Sequence, residues 1–108
     1  MFFYTVRCEF QGDPQLADHW LAWLRDVHLE DVLHAGARDA QVLRIDAEIP
    51  IYEIRYSFES RADFDLYERD HAPRLRAEGL DLFPLNQGLS YQRSCGELLF
   101  SQSAINAN

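Results

Sequence analysis

The sequence predicts an α+β fold with the order strand-helix-strand-strand-helix-strand. Its four strands would form one antiparallel sheet carrying two helices on a single face, the split βαβ arrangement. Three observations predict it. Residues 2–10 and 51–58 alternate apolar and polar side chains with the period of a strand. Apolar residues recur at helical spacing after Pro14 and again after Ser60. The chain's 108 residues lie within the usual size of one domain and can enclose one two-layer core.

In the first strand Phe2, Tyr4, Val6, Cys8 and Phe10 lie on one side, opposite Phe3, Thr5, Arg7 and Glu9. Gly12, Asp13 and Pro14 end it, with Asp13 suited to cap a helix and Pro14 to its first position. In the helix that follows, Leu16, Trp20, Trp23, Leu24 and Val27 form one continuous apolar stripe. Residues Leu29 to Ala35 add a short second helix, with Val32 and Leu33 expected inward and Gly36 as its stop.

A second strand is expected from Ala40 to Asp46 and a third from Ile51 to Phe58. Ser60, three residues before Asp63, resembles a capping box and opens the next helix. Phe64, Tyr67 and His71 or Leu75 can share its buried side. Pro73 cannot donate to the helical ladder and biases Ala72 toward extended backbone, so the helix should kink or restart near His71, with Gly79 closing it. Leu89 to Leu99 supplies the fourth strand. Residues 1–100 read as one domain and 101–108 as a flexible polar tail.

Composition narrows the partners. A formal charge of -8, from 18 acidic against 10 basic residues, disfavours phosphate backbones and anionic lipid, which need clustered cations. The expectation is no nucleic acid and no membrane. The apolar start, Met1 to Val6, is too short to span a bilayer and lacks the features of a signal peptide, which points to the cytoplasm. Cys8 and Cys95 read as two reduced thiols. The sheet face away from the helices carries Arg7, Glu9, Glu53 and Arg55 beside Phe3, a mixture that suits contact with a second copy or a solvated face. A homodimer is expected.

The segment Trp20-x-x-Trp23-x-x-x-x-His28-Leu29-Glu30-Asp31-Val32, followed by Gly36, pairs with Tyr67 to Leu75 and with Arg93 in the last strand. Together these resemble the bacterial family known as domain of unknown function 4286. That family is similar to the dimeric α+β barrel proteins of ferredoxin-like fold, which include cofactor-free monooxygenases and several small-ligand binders. The resemblance runs from about Phe3 to Leu99 and implies the fold; the family carries no assigned reaction. Glu30 stands where the family commonly has proline, and Asp81 to Asn86 departs from its usual pattern.

A pocket between helices and sheet is the candidate site. Trp20, Trp23, Tyr56 and Tyr67 are its expected ligand-binding residues, suited to a flat apolar or aromatic molecule, although each is equally at home in a core. His28 and His71 are the candidate catalytic residues, because two imidazoles opening into one crevice could move a proton near neutral pH. The alternative roles are structural, with His28 against a helix end and His71 at the kink. His28, Asp31 and His34 have metal-donor chemistry, but spacings of three and three drift around a helix; no metal and no cofactor are expected. Arg44, Arg55 and Arg93 could meet an anion if their strands aim them together, or could be neutralised by carboxylates. A small-molecule binder, a cofactor-independent oxygenase or isomerase using a histidine base, and a non-catalytic dimeric interaction protein all remain open.

Overall fold

A computed structural model describes residues 1–105. β1 (Phe2–Phe10) runs down the middle of a four-stranded sheet of order β2-β3-β1-β4. β3 (Ile51–Phe58) and β4 (Leu89–Glu97) pair antiparallel with it, and β2 (Asp39–Arg44) pairs antiparallel with β3 at the other edge. β2 ends two residues earlier than expected from the sequence, and so does β4. Residues 101–105 are exposed and take no regular structure, while residues 106–108 of the expected tail lie outside the described residues.

The alternation in β1 decides the layering. Phe2, Tyr4, Val6, Cys8 and Phe10 are buried and face the helices, while the residues between them are half-buried on the other face. α1 (Pro14–Trp23) starts where expected: the Asp13 carboxylate accepts from the Gln15 N–H at 3.0 Å, and Pro14 takes the first turn. Its Trp20 packs on Phe10 and Tyr52, whereas Phe64 and Tyr67 of α3 (Arg61–Asp70) pack on Tyr4. Both helical segments therefore cover the same sheet face.

The first correction concerns the stripe after Trp23. A π-turn spans Leu24–His28, with the Leu29 N–H donating to the Leu24 carbonyl five residues back. Each such turn holds one more residue than an α-turn, so later side chains are rotated off the stripe. Val27, expected inward, is exposed, and His28 turns in instead. In α2 (Leu29–His34) Val32 is fully buried, but Leu33, also expected inward, faces out.

α3 is capped as the sequence suggests, the Ser60 hydroxyl accepting from the Asp63 N–H at 3.2 Å. The helix breaks at His71, where φ is -127°, and restarts as α4 (Ala72–Leu82), with Pro73 in the first turn. Gly79 does not close it; the helix continues to Leu82 before Phe83 and Pro84 end it. Gly79 is inside because Trp23 lies across it: a Cβ there would stand 3.2 Å from the indole.

A tight crossing ties the end of β1 to the start of β4 at one end of the sheet. Gln11 N–H donates to the Gly88 carbonyl at 2.8 Å, and Gly88 adopts φ +99° after the 3-10 turn Leu85–Gln87. A Cβ on Gly12 would stand 2.5 Å from the Gln87 carbonyl oxygen, so backbone must move against backbone. Gly12→Ala is expected to lower stability by about 1–3 kcal/mol, read as a lower urea midpoint at unchanged slope.

Candidate functional site

Three phenols and two guanidiniums meet under the second helical layer. Tyr4 and Tyr56 are Cα partners across β1 and β3, so both point at the helices, with rings 5.8 Å apart and stacked. α3 brings Tyr67 to 6.2 Å from the Tyr4 ring. From α4, Arg76 Nη2 donates to the Tyr4 hydroxyl at 2.9 Å and to the Glu68 carboxylate at 2.6 Å. Arg93 and Cys95 reach the same face from β4, since they pair with Val6 and Tyr4. Beside Tyr4, Arg76 and Arg93 lies a hollow of about 260 Å³, walled by the Phe64 ring and bordered also by Glu68 and Cys95; Tyr56 and Tyr67 lie in the core next to Tyr4 and do not line it.

Two buried polar groups of the cluster have no partner among the described residues, the Tyr56 hydroxyl and Arg76 Nε, and of the two only Arg76 lines the hollow. Burial, and then the neighbouring Tyr67 and Tyr4, push the Tyr56 phenol far above its ordinary range. Tyr67 rises for the same reasons, partly offset by Arg76 and Arg93. Both therefore stay protonated and act as hydrogen-bond donors. Burial works against the charge on Arg76, but its bonds to Tyr4 and Glu68 outweigh that and raise its pKa, keeping it a cation.

An unpaired buried hydroxyl costs of order 1–3 kcal/mol. Tyr56→Phe should accordingly raise unfolding free energy by about 1 kcal/mol in denaturant titration; a loss of stability would mean that the hydroxyl has a bound partner in solution.

The sequence-derived pocket is divided among several places. Tyr56 and Tyr67 belong to this cluster. Trp20, 1% exposed, lies in closed core toward the other end of the sheet, and its N–H is taken by the Tyr91 hydroxyl at 3.0 Å. Trp23 is held between His28, Phe83 and Gly79, with the imidazole stacked on the indole at 4.7 Å. His28 Nδ1 is buried without a partner. Burial chiefly lowers the His28 pKa to about 4, with Asp31 opposing and Arg93 adding to the fall. His71 does not share a crevice with these groups; it lines a separate hollow of about 190 Å³ with Asp31, His34 and Arg74. The helix break turns it there.

Nor do Arg44, Arg55 and Arg93 converge. Arg55 pairs in register with Thr5 on the opposite face and bonds Glu53 at 3.0 Å. Arg44 and Arg93 share the helix face but stand at its two edges, over Tyr52 and Tyr91 respectively. Beside Arg44 is an apolar hollow of about 330 Å³ lined by Leu21, Leu24, Leu29, Val42 and Tyr52. Its polar side chains are Arg25, Arg44 and Tyr52, with Arg44 lying over the Tyr52 ring, whereas the Tyr4 hollow sets an apolar wall beside polar groups that hydrogen-bond one another. Among the described residues no three His, Cys, Asp or Glu side chains converge as metal ligands, and no helix is long and apolar enough to cross a membrane.

Sequence reasoning missed Tyr4, Glu68 and Arg76. In the sequence Tyr4 reads only as an apolar-face residue of the first strand, although its hydroxyl must bond somewhere. Glu68 and Arg76 are eight residues apart, and only the break at His71 sets how they meet.

A family model described as a domain of unknown function, DUF4286, matches residues 1–93. No curated protein matches the sequence. Among solved structures, a dimeric ferredoxin-like protein from an uncultured marine organism superposes with a TM-score of 0.74 at 11% identity, covering 96% of this chain and 100% of that one. HapK from Hahella chejuensis gives 0.67 at 18% identity, covering 98% and 100%. SnoaB, a cofactor-independent oxygenase from Streptomyces nogalater, gives 0.62 at 11% identity, covering 93% and 94%. At these identities the likeness is one of fold, the ferredoxin-like α+β fold that the sheet order also describes.

Proposed function

Because this chain belongs to the DUF4286 family, whose description assigns no reaction, we propose a function from its own site: a cytoplasmic homodimer that binds a small, largely apolar or aromatic molecule in the hollow beside Tyr4, Tyr56 and Tyr67. The observation that carries this is the hollow's own lining, an apolar Phe64 wall set against the Tyr4 phenol, Arg93 and an Arg76 whose buried Nε has no partner among the described residues. Natural proteins leave few such groups unsatisfied, and a ligand is one reason to keep one. Titration with 4-nitroanisole, followed by amide shifts, tests the site. Binding should be lost in Cys95→Trp, which fills the hollow from an exposed position on β4. Equal binding in both proteins rejects the location.

The dimer draws support from the open sheet face and from the dimeric ferredoxin-like protein of the same fold. Arg7 stands opposite Glu53, and Arg55 bonds Glu53, so a two-fold axis through this face can match acids to bases. Light scattering should give twice the 12.6 kDa of one chain. Arg55→Glu, which sets two carboxylates side by side, should weaken association by roughly tenfold or more. A wild-type monomer at micromolar concentration rejects the proposal.

A second reading, a cofactor-independent oxygenase or isomerase, is favoured by His28. Its imidazole is unprotonated at neutral pH and has a buried nitrogen without a partner. So weak a base would need the phenols and guanidiniums to acidify the substrate first. Screening quinols under oxygen should show turnover that His28→Gln abolishes and His71→Gln spares. Turnover unchanged in both variants removes the role given to His28.

A further inference from the structure

We infer that the site takes its ligand as a monoanion: an apolar or aromatic body bearing one ionised oxygen, phenolate, enolate or carboxylate. This rests on the hollow beside Tyr4 being the binding site. All ten basic residues of the chain are arginines. Arg25, Arg38, Arg55, Arg61, Arg69, Arg74 and Arg76 each have a carboxylate within ion-pairing distance. Arg7, Arg44 and Arg93 have none among the described residues, and of these three only Arg93 borders the hollow. It instead lies 5.1 Å over the Tyr91 ring at the edge of the hollow.

Charge and hydrogen-bond polarity then point the same way. Glu68 compensates Arg76, which leaves the Arg93 charge as the surplus. The Tyr4 oxygen already accepts from Arg76, so its own proton is available to donate, and the Arg76 Nε–H is uncommitted. Guanidinium offers only donors. The one carboxylate in the hollow is engaged. A lining rich in donors, with one surplus positive charge and few free acceptors, is complementary to a group that only accepts, and an ionised oxygen is that group. The Phe64 ring supplies an apolar wall for the remainder of the ligand. A neutral ligand would leave the Arg93 donors unanswered, and a dianion would exceed the charge available.

The experiment compares 4-nitrophenol, its neutral ether 4-nitroanisole, and 4-nitrobenzoate on the full-length protein. The wild type should bind 4-nitrophenolate roughly tenfold more tightly than 4-nitroanisole and lower the apparent pKa of bound 4-nitrophenol by about one unit, read from its absorbance. Arg93→Gln, at an exposed position, should erase that lowering. Similar strengthening of 4-nitrobenzoate assigns the preference to organic monoanions in general; strengthening of the phenolate alone confines it to weak-acid oxygens. Either supports the inference. Binding of 4-nitroanisole and 4-nitrophenol with no change in pKa overturns it and leaves the binding site standing. Retention of the pKa change in Arg93→Gln overturns the role of Arg93. If none of the three binds the wild type, the site itself falls with the inference.

Discussion

Trp20→Ala is expected to lower the free energy of unfolding by about 3–5 kcal/mol, the usual range for deleting an enclosed aromatic. Trp20 is 1% exposed, with Phe10 edge-on at 5.3 Å and Tyr52 stacked at 5.7 Å. Three losses add: the apolar surface of the indole, the contacts of the rings around the cavity it leaves, and the hydrogen bond to Tyr91. The Tyr91 hydroxyl, which also neighbours the Cys8 thiol, would lose its indole donor. Against the usual 5–15 kcal/mol of a domain this is a large share. Trp20→Phe, which keeps much of the volume, should cost clearly less. Urea denaturation at fixed protein concentration checks both, because dimerisation would otherwise make the midpoint concentration-dependent. A loss below about 1 kcal/mol in Trp20→Ala would mean that the indole is not enclosed in solution.

Acid should destabilise the protein through His28. Its folded-state pKa, about 4, lies below the ordinary 6.5, so above pH 6.5 both folded and unfolded chains hold a neutral ring and no penalty exists. As pH falls below 6.5 the unfolded chain takes up the proton first, and stability declines. The decline is complete once the folded ring is also protonated, below about pH 4. At about 1.4 kcal/mol per pH unit the whole loss is roughly 3–4 kcal/mol. Carboxylates titrate toward the lower end of this window, so the informative quantity is the difference from His28→Phe, which keeps a ring against Trp23 but cannot charge. That difference should grow from pH 6.5 downward and level off near pH 4. Parallel profiles for the two proteins would place His28 in solvent.

Much of the scaffold is legible in the sequence because its signals are local. The alternation from Phe2 to Phe10, the Asp13-Pro14 start, the Ser60 cap and the break before Pro73 each depend on a few neighbouring residues, and each recurs in the structure. The failures involve long-range contacts. Nothing in the spacing of Leu16, Trp20, Trp23 and Val27 interrupts an α-helix; the stack of His28 on Trp23 accompanies the π-turn that does. Gly79 has the composition of a helix stop, yet an indole from another helix uses the space above it. Arg44, Arg55 and Arg93 look equivalent until strand register puts one on the far face and the others at opposite edges. The surroundings of the candidate site were legible only in part: Tyr56 and Tyr67 lie in the phenol cluster with Tyr4, but hydroxyl partners such as Arg76 depend on how α4 is set against the sheet.

The wider Leu24–His28 turn makes the imidazole's direction a matter of backbone winding as much as of chemistry. Wound as uninterrupted α-helix at the same length, this stretch would carry each later side chain roughly 100° away from where it stands here. The histidine would then face water with every neighbouring letter unchanged. Two members of the family could thus align without mismatch at this position and differ in whether they possess an interior base, so the winding between the paired tryptophans and the histidine sorts them better than identity does.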